Sequence, residues 1–211
     1  IEPTFSWTYI RKKRMPDGSK QEYAVEDYAY RLYRRMGGDV QHLPPSFVHA
    51  LEMSAFLTGC GPDDEVIVPS FAFVTSVLAF TLRGARPVFA DVRPDTLNLD
   101  ERQVERLVTR RTKAIVALHY AGVACEMDAL LDIGRRHGVP VVEDNAHGLY
   151  GRYKGRWLGT LGVVGTQSFH ETKNFTCGEG GALLVNDPAL AERAEILREK
   201  GTNRARFLRG L

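Results

Sequence analysis

The 211-residue sequence predicts an α/β fold, a mostly parallel sheet flanked by helices. Three observations carry that expectation. From residue 64 onward, short apolar runs alternate with longer amphipathic segments, the pattern of strands joined by crossover helices. The runs are apolar nearly throughout, as strands covered on both faces are. The composition, 44% hydrophobic and 26% charged, is that of a soluble globular chain long enough to bury a core without staples.

Residues 1–21 show no clear period and carry Pro16-Asp17-Gly18, a turn signal; they are read as a poorly defined N-terminal arm, and 22–211 as one domain. "EYAVEDYAYRLYRRM" places Val25, Tyr28, Ala29, Leu32 and Met36 at helical spacing, stopped by Gly37-Gly38. Pro44-Pro45-Ser46 then starts a second helix, "FVHALEMSAFL", with Ser46 as its N-cap. "DEVIVPS" reads as a strand, "FAFVTSVLAFTLRG" as a helix closed by Gly84, and "RPVFADV" as a strand. "DERQVERLVTR" reads as a charged amphipathic helix, "KAIVALHY" as a strand, "EMDALLDIGRRHG" as a helix ending at Gly138, and "VPVVED" as a strand. "GLYGRYKGRWLGTLG", rich in glycine and aromatics, reads as loops with a hairpin. "GTQSFH" and "GALLVN" read as strands, and "PALAERAEILREK" as a helix with Pro188 in its first turn.

Several function classes find no support. A net charge of +2 is no nucleic-acid footprint, and Arg11-Lys12-Lys13-Arg14 is the kind of run that usually marks a solvated face. Cys60, Cys125 and Cys177 stand too far apart for a disulfide framework or a metal-ligand spacing, which fits a reducing, cytoplasmic setting. No apolar stretch approaches the ~20 residues a membrane span needs. Neither GxGxxG nor GxxxxGK[ST] occurs.

Ligands of open α/β sheets collect at the carboxyl ends of the strands. Asp144 ends "VPVVED", His119 and Tyr120 end "KAIVALHY", and Ser168 and His170 end "GTQSFH". Ser70 follows "EVIVP", with Phe73 just inside the next helix, and Lys173 lies three residues past His170. One lysine, one carboxylate, hydroxyls and an aromatic ring thus fall on one rim. That set suits pyridoxal phosphate (PLP), which needs a primary amine for a Schiff base, an acid for its pyridinium nitrogen and N–H donors for its phosphate. The chain holds seven lysines against twenty-one arginines. Lys173 stands where an arginine would not serve, because a guanidinium forms no imine.

Six segments in order, "PSFAFVTSVLAF", "RPVFADVRPDTLNLD", "HYAGVACEMD", "VVEDNAHG", "SFHETKNFTCGEGGALLVND" and "REKGTNRARFLRG", resemble the DegT/DnrJ/EryC1/StrS family of PLP-dependent sugar aminotransferases. The resemblance implies the large domain of an aspartate-aminotransferase-type fold, incomplete at its C-terminus and without the small C-terminal domain. Full-length members are homodimers. It implies that Lys173 forms the Schiff base and moves the proton, and that Asp144 holds the pyridine nitrogen protonated. Phe73 would stack on the ring, His147 would stand near the phenolic oxygen and Ser168 would contact the phosphate. Val48 and His49 occupy the phosphate-binding turn, where Val48 lacks the hydroxyl usual at that position. His119 and Tyr120 would line the sugar side. The implied reaction moves an amino group from L-glutamate to a nucleotide-linked 4-keto-6-deoxy sugar, dTDP-4-keto-6-deoxy-D-glucose, in surface-polysaccharide biosynthesis of the enterobacterial-common-antigen type. No metal, membrane or nucleic acid takes part. A related 3-aminotransferase, a UDP-sugar enzyme and an inactive truncated remnant are the alternatives.

Overall fold

The structure, a computed structural model, describes residues 10–14, 20–24, 47–199, 201–202, 204–208 and 210. The chain divides into two units between Val40 and Gln41. In the first unit, strands β1 (Ile10–Arg14) and β2 (Lys20–Ala24) pair antiparallel, Arg14 opposite Lys20. This corrects the expected helix over its first residues: Glu22, Tyr23 and Ala24 are strand, because cross-strand pairing overrides their helical spacing. The rest of that segment, the Pro16-Asp17-Gly18 turn and the capping Ser46 lie outside the described residues.

The second unit follows the predicted order. It begins with helix α1 (Phe47–Leu57), strand β3 (Glu65–Pro69), helix α2 (Thr75–Thr81) and strand β4 (Arg86–Ala90). Helix α3 (Glu101–Leu107), strand β5 (Thr112–Leu118), helix α4 (Met127–His137) and strand β6 (Val141–Asp144) come next. The expected hairpin forms from β7 (Arg152–Tyr153) and β8 (Arg156–Trp157). Strands β9 (Val164–Ser168) and β10 (Gly181–Val185) and helix α5 (Ala191–Arg198) follow, then a short helix α6 (Arg204–Leu208) that the sequence pattern did not announce.

Two local signals act as read. Gly138 caps α4 in the left-handed conformation at φ 67°, which a Cβ would disfavour. Pro188 opens a short 3₁₀ turn before α5, its N–H not needed there, while Asp187 accepts from Ala189 N–H. One boundary differs. The α2 segment is helical only from Thr75, since Ser70 N–H bonds to Ala90 at the end of β4 and draws the chain along the sheet edge. Helical bonding starts at Val74, whose carbonyl accepts from Leu78.

The strands form one six-stranded sheet in the order β10-β9-β6-β5-β3-β4, parallel except for the β10–β9 pair. Side chains alternate across it. Val66, Val68, Ala114, Val116, Val142 and Val164 join Leu51 and Phe80 in one core. Ile67, Ile115, Ala117 and Val141 join Val104, Met127 and Leu130 in the other. Both faces are covered, which is why the strands read as unbroken apolar runs. The same alternation turns Asp144 to the face of α1 and α2, and Glu143 to the face of α3 and α4. Among the described residues no helix is long and apolar enough to cross a membrane.

Candidate active site

The carboxyl ends of β5, β6 and β9 meet at a cavity of about 300 Å³, lined by Tyr120, His147, Ser168, Lys173 and Phe175 among others. Two turns build it. After β5, Tyr120 N–H donates to Asn98 Oδ1 (2.8 Å), and Ala121 takes a left-handed φ of 51° before Gly122. That turn presents Ala121 N–H to His147 Nδ1 at 3.3 Å, so His147 carries its ring proton on Nε2. After β9, Phe169 bonds through its backbone to Gly180 and Cys177, closing the 169–180 loop. Lys173 sits within that loop, its N–H donating to the His170 carbonyl at 3.0 Å. Glu179 Oε1 lies 3.4 Å from His170 Nε2.

Asp144 is buried to 1% exposure. Its Oδ2 accepts from Ser76 Oγ at 2.6 Å and its Oδ1 from Ala146 N–H at 3.2 Å. Burial pushes its pKa up against the pull of those two bonds and of the nearby His147 and His119. Lys173 is half-buried, and burial lowers its pKa while the Asp144 charge opposes the shift. His147 is lowered by burial and by Lys173, again opposed by Asp144. The three groups therefore act on one another's charge. The arrangement offers an amine eased toward its neutral, nucleophilic form. Beside it stands a carboxyl whose burial favours the arrival of a cation.

Lys173, His147, Ser168 and Tyr120 thus line one cavity as expected, and Asp144, though not itself a lining residue, acts by its charge on Lys173 and His147. Four expected positions differ. His119 does not line the cavity: it is fully buried on the other side, its Nδ1 accepting from Cys125 N–H (3.2 Å) and its Nε2 bonded to Glu143 (2.9 Å). The polar side chain following β5 is spent on the sheet's far face. Phe73 precedes α2 rather than lying inside it, and is 68% exposed. Phe71 instead packs on the cavity wall, its ring 5.0 Å from that of Tyr120. Val48 and His49 are exposed in the first turn of α1 and are not among the cavity-lining residues.

Sequence reasoning missed Ser76 and Glu143. Glu143 adjoins Asp144, yet a lone acid before a strand-end aspartate carries no signal of its own. Ser76 is 68 residues from its partner, and only the β3–β5–β6 order brings them together.

The fold is an open, mostly parallel α/β sheet with its polar groups gathered at the carboxyl rim, the framework of PLP-dependent transferases. A family model for DegT/DnrJ/EryC1/StrS aminotransferases matches residues 46–210, and the chain belongs to that family. Family members of this kind depend on PLP, and the amine, buried carboxyl and cavity described above fit that group.

Solved structures agree. The chain is similar to 3-amino-5-hydroxybenzoic acid synthase, with 37% identity over 85% of this chain and 47% of that one, TM-score 0.79. It is similar to DesV of S. venezuelae, solved in complex with a ketimine intermediate, at 38% identity, 85% and 48% coverage and TM-score 0.77. It is also similar to DesI, solved in the presence of its TDP-sugar product, at 36% identity, 85% and 45% coverage and TM-score 0.77. The chain spans about half the length of these relatives.

Proposed function

We propose that this chain is the cofactor-bearing part of a nucleotide-sugar aminotransferase. Its amino donor would be L-glutamate, and its acceptor a dTDP-linked 4-keto-6-deoxy sugar, giving a dTDP-4-amino-4,6-dideoxygalactose type of product for surface polysaccharide. The observation that carries the reading is the pairing of Lys173, at the wall of one cavity, with a buried Asp144 whose charge reaches it. Likeness to DesI, solved with a TDP-sugar, and to DesV supports the substrate class.

When bound, PLP supplies a carbonyl that accepts an amino group and a ring that stores the electrons released. The protein's own groups have distinct work. Lys173 would hold the cofactor through its amine, and as a free amine at the cavity wall it would serve as the base that moves a proton. Asp144, buried and held by two donors, would favour a positive charge on the ring nitrogen. His147, with its proton on Nε2, offers a hydrogen bond into the cavity. Ser168 stands at the cavity wall to meet phosphate. Tyr120, braced by Phe71 and by Asn98, shapes the side where a sugar would enter.

The same reading has the full-length protein as a homodimer. Val74, Leu78 and Leu82 share one exposed face of α2, with Phe73 beside them, an apolar surface suited to burial against another chain.

The test is stepwise. The chain mixed with PLP should show a visible absorbance band that Lys173→Ala abolishes, and glutamate should bleach it. Full-length protein should then aminate dTDP-4-keto-6-deoxy-D-glucose in preference to UDP-linked and 3-keto sugars. Amination of those alone would shift the reading to the related 3-amino or UDP-sugar enzymes. No band in either chain would leave the inactive-remnant reading standing.

A further inference from the structure

Asp144 is held from two directions. Ala146 N–H comes from its own strand end; Ser76 comes from α2, an element otherwise packed on α1, β3 and β4. A serine in a helix normally turns its hydroxyl back on its own backbone. Ser54 does so in α1, donating to Ala50 at 2.9 Å, and Thr81 does so in α2, donating to Leu78 at 3.2 Å. Ser76 does not. Its hydroxyl, fully buried, reaches across the carboxyl end of the sheet to Asp144 Oδ2 at 2.6 Å, a short bond of the kind made to an ionised carboxylate.

We infer that Ser76 is a positioning residue of the active site, fixing the rotamer of Asp144 and holding its carboxyl ionised for the cofactor's ring nitrogen. The inference rests on the aminotransferase reading for its purpose, but the interaction stands on the geometry alone. Asp144 is desolvated, and its charged form is supported by few groups: the Ser76 and Ala146 donors, and the nearby His147, His119 and Lys173. Cys125, on the opposite face, adds no positive charge. Of these, Ser76 and Ala146 touch the carboxylate, and only Ser76 does so through a side chain that mutation can remove. Without it the upward push of burial meets less opposition, and a carboxyl that holds a proton more readily is a poorer partner for a protonated ring nitrogen.

The test has two readouts. In the first, the cofactor-free 211-residue chain is labelled at aspartate carboxyl carbons and titrated by NMR. Ser76→Ala should raise the Asp144 midpoint so that its proton affinity grows about tenfold, the effect of losing one hydrogen bond to a charged group, while Ser76→Thr, which keeps the hydroxyl, should restore it. In the second, PLP affinity should fall about tenfold in Ser76→Ala while the cofactor remains trappable on Lys173 by borohydride. An Asp144 midpoint equal in the parent chain and Ser76→Ala, with both folded by the same spectra, overturns the inference. Failure of the parent chain to take up PLP would instead count against the aminotransferase reading, and the titration would still decide the role of Ser76.

Discussion

Glu143 and Asp144 are consecutive residues of one strand, equally buried, and they face opposite sides of the sheet. Glu143 is fully used. Its Oε1 accepts from Leu161 and Gly162 N–H at 2.6 and 2.7 Å, and its Oε2 from Gly159 N–H at 2.7 Å and from His119 at 2.9 Å. Asp144 receives two bonds, from Ser76 and Ala146. A buried carboxylate with four donors is a structural pin: it ties the turn after the β7–β8 hairpin to the sheet and satisfies three backbone N–H groups that have no ladder partner. A buried carboxylate with two donors beside a cavity keeps capacity for a ligand. Two side chains of nearly the same chemistry thus do different work, and the count of their donors separates them.

The contrast is best broken at Glu143. Glu143→Gln turns an amide N–H₂ toward groups that are themselves donors. It should cost about 3–5 kcal/mol of unfolding free energy, the range for breaking a buried charged network, measured by urea denaturation of the cofactor-free chain. A loss below about 1 kcal/mol would contradict the structural role. Gly165→Ala attacks the same turn from the strand beside it. An added Cβ would lie 2.2 Å from the Gly159 carbonyl, backbone that cannot swing aside. Overpacking of this kind should cost about 1–3 kcal/mol or more by the same measurement.

Asp144→Asn should reverse the pattern. The cofactor-free chain should change by less than about 1 kcal/mol, because the asparagine oxygen can accept from Ala146 N–H while its amide N–H₂ donates to the Ser76 hydroxyl, which can accept as well as donate. PLP affinity should fall at least about tenfold, read by absorbance titration. Equal losses of stability and of affinity in both variants would erase the distinction between the two carboxylates.

The smallest effect lies in the pH dependence. Burial raises the folded-state pKa of Asp144 above its ordinary 3.8. The folded chain therefore binds that proton more tightly than the unfolded one, and this contribution is present below the unfolded value and lost as pH rises through the folded one. Carboxylates in surface ion pairs have the opposite sign. Glu105, lowered to about 2 by Arg136 and His137, is one of them. The difference between the parent chain and Asp144→Asn isolates the buried group: the parent's relative stability should decline as pH rises past the folded value. A flat difference would show that Asp144 is not strained by its burial.

How much of this was legible in the sequence follows from what each signal depends on. The second unit's strands were readable because burial on both faces leaves unbroken apolar runs such as "VIV" and "AIVAL". Lys173 and Asp144 were readable because strand ends and a glycine turn mark the rim. The Ser76–Asp144 bond was not, since it depends on which strands become neighbours. His119 was misplaced for a related reason: one step along a strand or its continuation changes the face, and the end of β5 is where the alternation gives way to a turn. Phe73 was placed inside a helix that starts later, because the bond from Ser70 to Ala90 is a tertiary constraint that helix propensity does not contain.

The most direct test of the account is to saturate the chain with PLP, fix any lysine adduct with borohydride and map it by peptide mass spectrometry. Seven lysines compete. The account predicts the adduct on Lys173, because its amine, alone among those of the described side chains, combines the cavity wall, partial burial and the field of Asp144. An adduct spread over surface lysines such as Lys113 and Lys154, with Lys173 unmodified, would contradict it.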